Sequence, residues 1–397
     1  MDSGPKKVVY KNKMVIEMKI LHTSDLHLGK RVHGYSMLDD QEFILDRMVD
    51  AVDEHHPDAL IVAGDVYDRA VPVEDAVTLF SDFLERVTDR DCDVYIISGN
   101  HDSGARLSFC GPILGRNGVH ISGEFSGRTD RYVVEDDYGK LNIHMLPYFK
   151  VSEVRSRLDV DVHGYGEAMD AVMTASGIDD GDRNILVAHQ FFAGSSMPLT
   201  SESEDQRPEV GGIECVPVSV LDPFDYVALG HLHIPQQVSR PTVRYSGSPL
   251  KYSASEAHTP KGMVLADIRD KGDVRVETVP LVPKRELRVI KGRVEDLIRA
   301  GLDDAEGRND YIIAELSEHP GQALSEFYKV YPMTMNVSVR RAEARPGTFG
   351  TEHQDPLGNM GQMELFSEFY RSMTGRDLSE YQTEILRECI ETGGDSE

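Results

Sequence analysis

The sequence predicts an α/β protein of more than one domain, and three observations carry that expectation. Short apolar runs bounded by polar turns recur along the chain. Stretches whose apolar residues return at helical spacing separate the first of these runs, which is the pattern of strand–helix–strand units with parallel pairing and right-handed crossovers. Composition supports a buried core, since 40% of the 397 residues are hydrophobic and 28% are charged, unlike a disordered chain. At roughly 150 residues per domain, that length suggests two or three domains.

Residues 1–17 read as a polar, Lys-rich extension without the apolar centre of a signal peptide. Met18-Lys19-Ile20-Leu21-His22 alternates as a first strand, and residues 58–63 and 94–97 are apolar runs of the kind a buried strand needs. Ile44, Leu45, Met48, Val49 and Val52 repeat as one helix, and Ala76, Leu79, Phe80, Phe83, Leu84 and Val87 as the next. Further strands are expected at 184–188, 225–229 and 243–245, and an exposed loop over 194–212, which is rich in Ser, Glu, Gly and Pro. A second, smaller α/β block has strands near 287–290, 311–316 and 335–339. Residues 343–361 have the Pro and Gly content of a linker, and 362–391 are strongly helical.

Charge narrows the function classes. Lys plus Arg number 42 against 68 Asp plus Glu, a net charge of −26, so bulk charge does not hold this protein on nucleic acid or anionic lipid. A nucleic-acid substrate then requires local basic islands or a partner. Cys92, Cys110, Cys215 and Cys389 lie far apart without a Cys-x-x-Cys pair, so reduced thiols are expected in place of a disulfide framework or thiolate zinc site. No apolar run approaches the roughly 18 residues of a membrane span. A soluble, cytoplasmic protein with no membrane partner is expected.

The chemistry sits at the strand ends. The first strand runs into Ser24-Asp25-Leu26-His27, the second into Gly64-Asp65-Val66-Tyr67-Asp68, and the third into Gly99-Asn100-His101-Asp102. The later strands end at His189 and at Gly230-His231-Leu232-His233. Any one of these motifs could be a turn or a cap, but five in order after apolar strands are hard to explain by turn chemistry. Carboxylate, amide and imidazole without thiolate suit Mn²⁺, Fe²⁺ or Zn²⁺ better than Ca²⁺. Asp25, His27, Asp65, Asn100, His189, His231 and His233 are too many ligands for one ion. They suit two that share a bridge, with Asp65 on the central strand as the natural bridging carboxylate.

These motifs resemble the calcineurin-like metallophosphoesterase superfamily, and within it the nuclease subunits of bacterial SbcCD-type exonuclease complexes. His22-Thr23-Ser24-Asp25-Leu26-His27-Leu28-Gly29, Ala63-Gly64-Asp65-Val66-Tyr67-Asp68 and Ser98-Gly99-Asn100-His101-Asp102-Ser103 carry the likeness to the superfamily. Ala228-Leu229-Gly230-His231-Leu232-His233, followed by Arg244-Tyr245-Ser246-Gly247-Ser248-Pro249, favours the nuclease subunits. The resemblance implies a β-sandwich flanked by helices over 18–282, a capping α/β domain over 283–342 and a C-terminal helical hairpin over 362–391. It implies one cation on Asp25, His27, Asp65 and His233, and a second on Asp65, Asn100, His189 and His231. Mn²⁺ is the first choice, with Mg²⁺ or Fe²⁺ as alternatives. His101 would stabilise the phosphate or protonate the leaving oxygen, Asp68 would orient His101, and Asp102 would serve the loop or the catalysis.

DNA and partner contacts follow the same resemblance. Lys284, Arg285, Arg288, Lys291 and Arg293, with Arg340, Arg341 and Arg345, form basic islands suited to phosphate, although strand-edge cations are an equal reading of composition alone. Met363, Phe366, Phe369, Tyr370 and Met373, then Leu378, Tyr381, Ile385, Leu386, Cys389 and Ile390, make apolar stripes. The resemblance implies that they bind an SbcC-type ATPase, in a heterotetramer with a homodimer of this chain at its centre. No Gly-x-x-x-x-Gly-Lys-Ser/Thr loop is present, so ATP dependence would come from that partner. The implied activity is exonuclease (3′–5′) on duplex ends and endonuclease on single strands or hairpins, in DNA repair and recombination, near the nucleoid. A phosphodiesterase for small nucleotides and a non-catalytic scaffold are the rivals; the scaffold reading conflicts with a complete ligand set.

Overall fold

The computed structural model describes residues 17–204, 215–304 and 306–339, with the isolated positions 6, 7, 367, 378, 379, 382 and 383. The chain divides into two compact units, Met1–Arg341 and Ala342–Glu397. The expected linker, Arg340, Arg341 and Arg345, and all but those isolated positions of the expected helical hairpin, lie outside the described residues.

The first unit holds two sheets face to face. One has the order β12-β11-β1-β2-β3-β4, from β1 (Met18–Thr23), β2 (Ala59–Ala63), β3 (Asp93–Ile97), β4 (Val119–Ser122), β11 (Gly262–Ile268) and β12 (Val274–Pro280). Strands β1 to β4 are mutually parallel, as their helical crossovers require, whereas β11 joins β1 antiparallel. The other sheet is built from the hairpin β5 (Asp130–Asp136) and β6 (Gly139–Leu146), then β7 (Arg183–Ala188), β8 (Tyr226–Leu229), β10 (Arg240–Tyr245) and β9 (Gln236–Val238). Of the polar extension, Lys6 and Lys7 pair in parallel with Tyr132 and Val133 at the edge of this sheet. Ile20, Ile61 and Tyr95 of the first sheet and Ile143, Ile185 and Tyr226 of the second are buried together between the layers.

Helices close both outer faces. α1 (Leu38–His55) and α2 (Glu74–Thr88) lay Ile44, Leu45, Met48, Val49, Phe80 and Phe83 on the first sheet. α3 (Val151–Leu158) and α4 (Tyr165–Ser176) cover the second through Val154, Ala168, Met169 and Val172. Each large side chain buried this way contributes about 2 kcal/mol. The architecture is the helix-flanked sandwich expected from the sequence.

The block after residue 283 is a three-stranded parallel sheet of β13 (Leu287–Gly292), β14 (Tyr311–Leu316) and β15 (Thr334–Val339), joined by α5 (Val294–Asp303) and α6 (Leu324–Val330). It shares a core with the sandwich through Leu287, Tyr311, Ile313 and Met335. Asp40 of α1, only 1% exposed, latches the two. Its carboxylate accepts the Tyr311 hydroxyl at 2.6 Å and Arg285 Nη1 at 3.1 Å. Asp40→Ala strands both donors and is expected to cost about 3 kcal/mol, read as a lowered denaturant midpoint with faster amide exchange in β14.

Two buried histidines set an acid limit on the fold. Burial pushes His144 down to about 4 and His22 down to about 3. His144 sits against Thr129 Oγ1 at 3.1 Å and His22 against the Tyr226 hydroxyl at 3.0 Å. Both titrate near 6.5 when unfolded, so the unfolded chain binds more protons below that pH. Their contribution is complete above about 6.5 and drains away as pH falls. At pH 5 each is expected to withdraw about 2 kcal/mol, measured by urea unfolding at pH 7.5 and pH 5.

Candidate metal centre

The centre is assembled where the carboxyl ends of both sheets meet. Asp25 and His27 follow β1, Asp65 follows β2 and Asn100 follows β3, while His189 follows β7 and His231 and His233 follow β8. Main-chain bonds tie these turns together: Asp25 N–H to Gly64 O at 3.0 Å, His27 N–H to Asp65 O at 2.9 Å, and Gly230 N–H to Ala188 O at 3.1 Å. Four of the seven residues have left-handed backbones, with φ of 53° at Asp25, 45° at His27, 49° at Asp65 and 100° at His231. Such a conformation costs a non-glycine residue about 1–2 kcal/mol and persists only where neighbours over-determine it.

Gln41 and Tyr252 supply part of that restraint. Gln41 Nε2 donates to His27 O at 2.7 Å, its Oε1 accepts Gly29 N–H at 2.9 Å, and the Tyr252 hydroxyl donates to Leu26 O at 2.6 Å. Two glycines are forced by close approach. A Cβ at Gly230 would overlap the Ala63 carbonyl oxygen, and one at Gly99 would overlap the Asp65 carboxylate.

All seven side chains converge. Asp25, His27 and His233 present ligand atoms within 4.8 Å of one another, and so do Asp25, Asp65 and His189. His27 Nε2 lies 3.0 Å from His233 Nε2 and 3.7 Å from Asp65 Oδ2. On the other side of Asp65, His189 Nε2 lies 3.3 Å from Oδ2, and Asn100 Oδ1 is 3.1 Å from both His189 Nε2 and His231 Nδ1. Asp65 stands between the two groups.

Electrostatics follow this packing. Burial opposes charge on Asp65, but His189, with His27 and His101, overcomes it and holds the carboxyl well below the usual range. Burial likewise works against charge on His189, and the Asp65 carboxylate overrides it, lifting the imidazole to about 9. Burial pushes Asp25 up, and it pushes His231 down to about 3.

A model of the calcineurin-like phosphoesterase family matches residues 18–235, more than half of the chain. The chain belongs to that family. It is therefore a hydrolase of the metallophosphoesterase class, with His and Asp side chains placed as candidate ligands of a dimetal site. Among solved structures, a dimetal phosphatase from Danio rerio is 12% identical, covering 67% of this chain and 96% of its own, with a TM-score of 0.40. The protein TT1561 of Thermus thermophilus is 11% identical, covering 66% of this chain and 99% of its own, with a TM-score of 0.37.

In this calcineurin-like phosphoesterase the donor set fits cations on its own chemistry. His189 Nδ1 donates to the Ala63 carbonyl at 2.8 Å, which leaves the electron pair of Nε2 facing the oxygens of Asp65 and Asn100. Acceptors converging without a hydrogen between them repel unless a cation or an extra proton stands there. The raised basicity of His189 is the protonic form of that demand. On the other side, His27 Nε2 and His233 Nε2 stand 3.0 Å apart, with the Asp25 carboxylate within reach of both rings.

Two expectations about neighbouring acids change in detail. His101 Nδ1 bonds the main-chain oxygen of Asp68 at 3.0 Å, not its carboxylate, which is engaged by Lys30 at 2.7 Å. Asp68 thus orients His101 through its backbone. The Asp102 carboxylate accepts three main-chain N–H groups, from Val66, Tyr67 and Gly99 at 3.0–3.1 Å. It ties the Asp65 turn to the Asn100 turn and serves the loop; burial and the Asp65 charge lift it to about 6.

The basic island is not a free one. Arg285 pairs with Asp40, Arg288 with Asp304 and Asp310 at 2.8 and 3.4 Å, Lys291 with Glu315 at 3.0 Å, and Arg293 with Glu318 at 2.7 Å. Lys284 is exposed. Residues 284–339 carry eight Lys and Arg against ten Asp and Glu, so acids from later turns neutralise cations that are clustered only in sequence. Closer to the centre, Arg69 has an 80% exposed side chain and Arg106 Nη1 donates to Ala70 O at 2.6 Å.

Several supporting residues carry no motif of their own. Ser246 Oγ lies 2.8 Å from Ser24 Oγ, which donates to the Asp25 carboxylate, and the Tyr245 hydroxyl donates to Gln190 O at 2.8 Å. The 244–249 segment thus lies under the ligand turns, and its closeness to the family pattern was the available signal. In the loop expected to be exposed over 194–212, residues 194–197 and Leu199 are exposed, whereas Ser201 and Glu204 are buried. Glu204 Oε1 accepts the His233 N–H at 2.8 Å.

Proposed function

We propose that this phosphoesterase is a two-metal phosphodiesterase that cuts DNA, the nuclease subunit of an SbcCD-type complex. The carrying observation is that Asp65 Oδ2 lies 3.7 Å from His27 Nε2 and 3.3 Å from His189 Nε2, with His101 Nε2 3.9 Å away beside them. Asp25, His27, Asp65 and His233 would hold one cation, and Asp65, Asn100, His189 and His231 the other. Divalent cations there, with Mn²⁺ the first choice, supply charge neutralisation at the phosphoryl group and acidify water.

The chain's own residues do the rest. The Asp68 carbonyl accepts Nδ1–H of His101 at 3.0 Å and so fixes its tautomer. Nε2, 3.9 Å from Asp65 Oδ2, is then the nitrogen that exchanges a proton with the leaving oxygen. The His101 N–H donates to Asp65 Oδ1 at 2.9 Å, so the acid and the shared carboxylate keep a fixed spacing. Arg69, 80% exposed with its Nε 3.7 Å from Asp68 Oδ2, and Arg106 would supply cations for the flanking phosphates.

The preference for DNA and for an SbcC-type ATPase rests on the resemblance of the 228–249 motifs and of the C-terminal stripes. Exposed Val71, Phe109 and Ile113, at 67%, 76% and 60%, support a second copy of the chain seated after Asp68 and His101. The ion-paired cap favours a second reading, in which the phosphodiester is a small nucleotide. End-labelled duplex and hairpin DNA, incubated with Mn²⁺ with and without the ATPase partner, separate the two. Cutting of DNA supports the nuclease. Intact DNA in both arms, with a cyclic nucleotide or bis-p-nitrophenyl phosphate hydrolysed, replaces it with the small-substrate reading.

A further inference from the structure

We infer that Ser203 is a positioning residue that sets which nitrogen of His233 faces the centre, acting as a hydroxyl relay from the buried Glu256–Lys261 pair. The inference rests on His233 being a metal ligand, as proposed above. Ser203 Oγ has three partners: Glu256 Oε1 at 2.6 Å, His233 Nδ1 at 2.6 Å and Ser201 Oγ at 2.8 Å. A serine hydroxyl donates once and accepts twice.

Glu256 is fully buried and decides where that one hydrogen goes. Its Oε2 takes Lys261 Nζ at 2.6 Å, and its Oε1 takes the Ser253 hydroxyl at 2.9 Å. A carboxylate paired with a buried ammonium only accepts, so Ser203 donates to Glu256. The other two partners must then donate to Ser203, and His233 carries its hydrogen on Nδ1. Nε2 is left with a bare electron pair on the side where His27 Nε2 lies 3.0 Å away. This is the form in which an imidazole ligates.

The same group of residues fixes the main chain on both sides of the ring. Glu204 Oε1 accepts the His233 N–H at 2.8 Å, and Lys261 Nζ donates to the His233 carbonyl at 2.7 Å. Lys261 spends its third hydrogen on Ser248 Oγ at 2.9 Å. Ser203 and Glu204 arrive from the 194–204 loop, Ser248 from the 244–249 motif, and Glu256 and Lys261 from the turn before β11. Three separate segments therefore meet on one ligand, and a buried ion pair is used for orientation, not bulk stability.

The test has two arms on the full chain. In the metal-free wild type, ¹⁵N-histidine NMR, with His233 assigned by comparison with His233→Asn, is expected to show the Nδ1–H form. Mn²⁺ titrations followed by the EPR signal of the free ion are expected to give two sites in the wild type. In Ser203→Ala one of them should weaken about 10- to 100-fold, and Ser203→Thr should restore it. Two wild-type sites with an unchanged Ser203→Ala isotherm, or an Nε2–H form of His233, overturn the relay alone. A wild type with fewer than two sites overturns the metal assignment and the relay with it.

Discussion

His101→Ala is expected to keep two Mn²⁺ per chain and to lose about 10²- to 10⁴-fold in turnover of a phosphodiester. The side chain stands beside the proposed ligand set, its ligand atom within 4.8 Å of those of His27 and Asp68. Its ring centroid is 4.7 Å from that of His27, its Nδ1 is spent on the Asp68 carbonyl, and its side chain is 13% exposed. Alanine keeps the main-chain N–H that donates to Asp65 Oδ1, so the shared carboxylate stays where it is. The loss should fall mainly on kcat and should shrink for substrates with good leaving groups, because those need no proton. Comparing bis-p-nitrophenyl phosphate with an alkyl phosphodiester measures that difference. Equal losses on both would mean that His101 binds phosphate without donating a proton, and unchanged rates would remove it from the reaction.

Asp65→Asn is expected to cost more than His101→Ala, with at least one cation lost and turnover down by about 10³-fold or more. The amide preserves the shape of the carboxylate and an acceptor for the His101 N–H, so the fold is kept while one negative charge is removed. That charge is what holds His189 near 9 and what offsets the burial of His27. Metal content by mass spectrometry, beside a melting curve for the folded state, separates loss of ligand from loss of structure. Full retention of two ions by Asp65→Asn would exclude Asp65 as the bridge.

Much of this candidate centre could be read from sequence because its proposed ligands follow strands whose central residues are apolar. β2 and β7 are buried at every position, so the polar residues that end them stand out. The supporting residues carry no such mark. Glu256 and Lys261 look like surface charges in a loop, and only the fold shows them buried at 0% and 6% exposure against each other. The hairpin β5–β6 also escaped, since Asp130–Asp136 mixes charged and apolar residues on an edge-side strand. The pairing of the basic cluster at 284–293 was hidden for a related reason: its acidic partners at Asp40, Asp304, Asp310, Glu315 and Glu318 are adjacent only in the fold.

The most direct test of the centre is a crystal of the chain grown with Mn²⁺ and measured for anomalous scattering. The account predicts two peaks on either side of the Asp65 carboxylate, one against Asp25, His27 and His233 and the other against Asn100, His189 and His231. A single peak, or peaks that do not share Asp65, would contradict it.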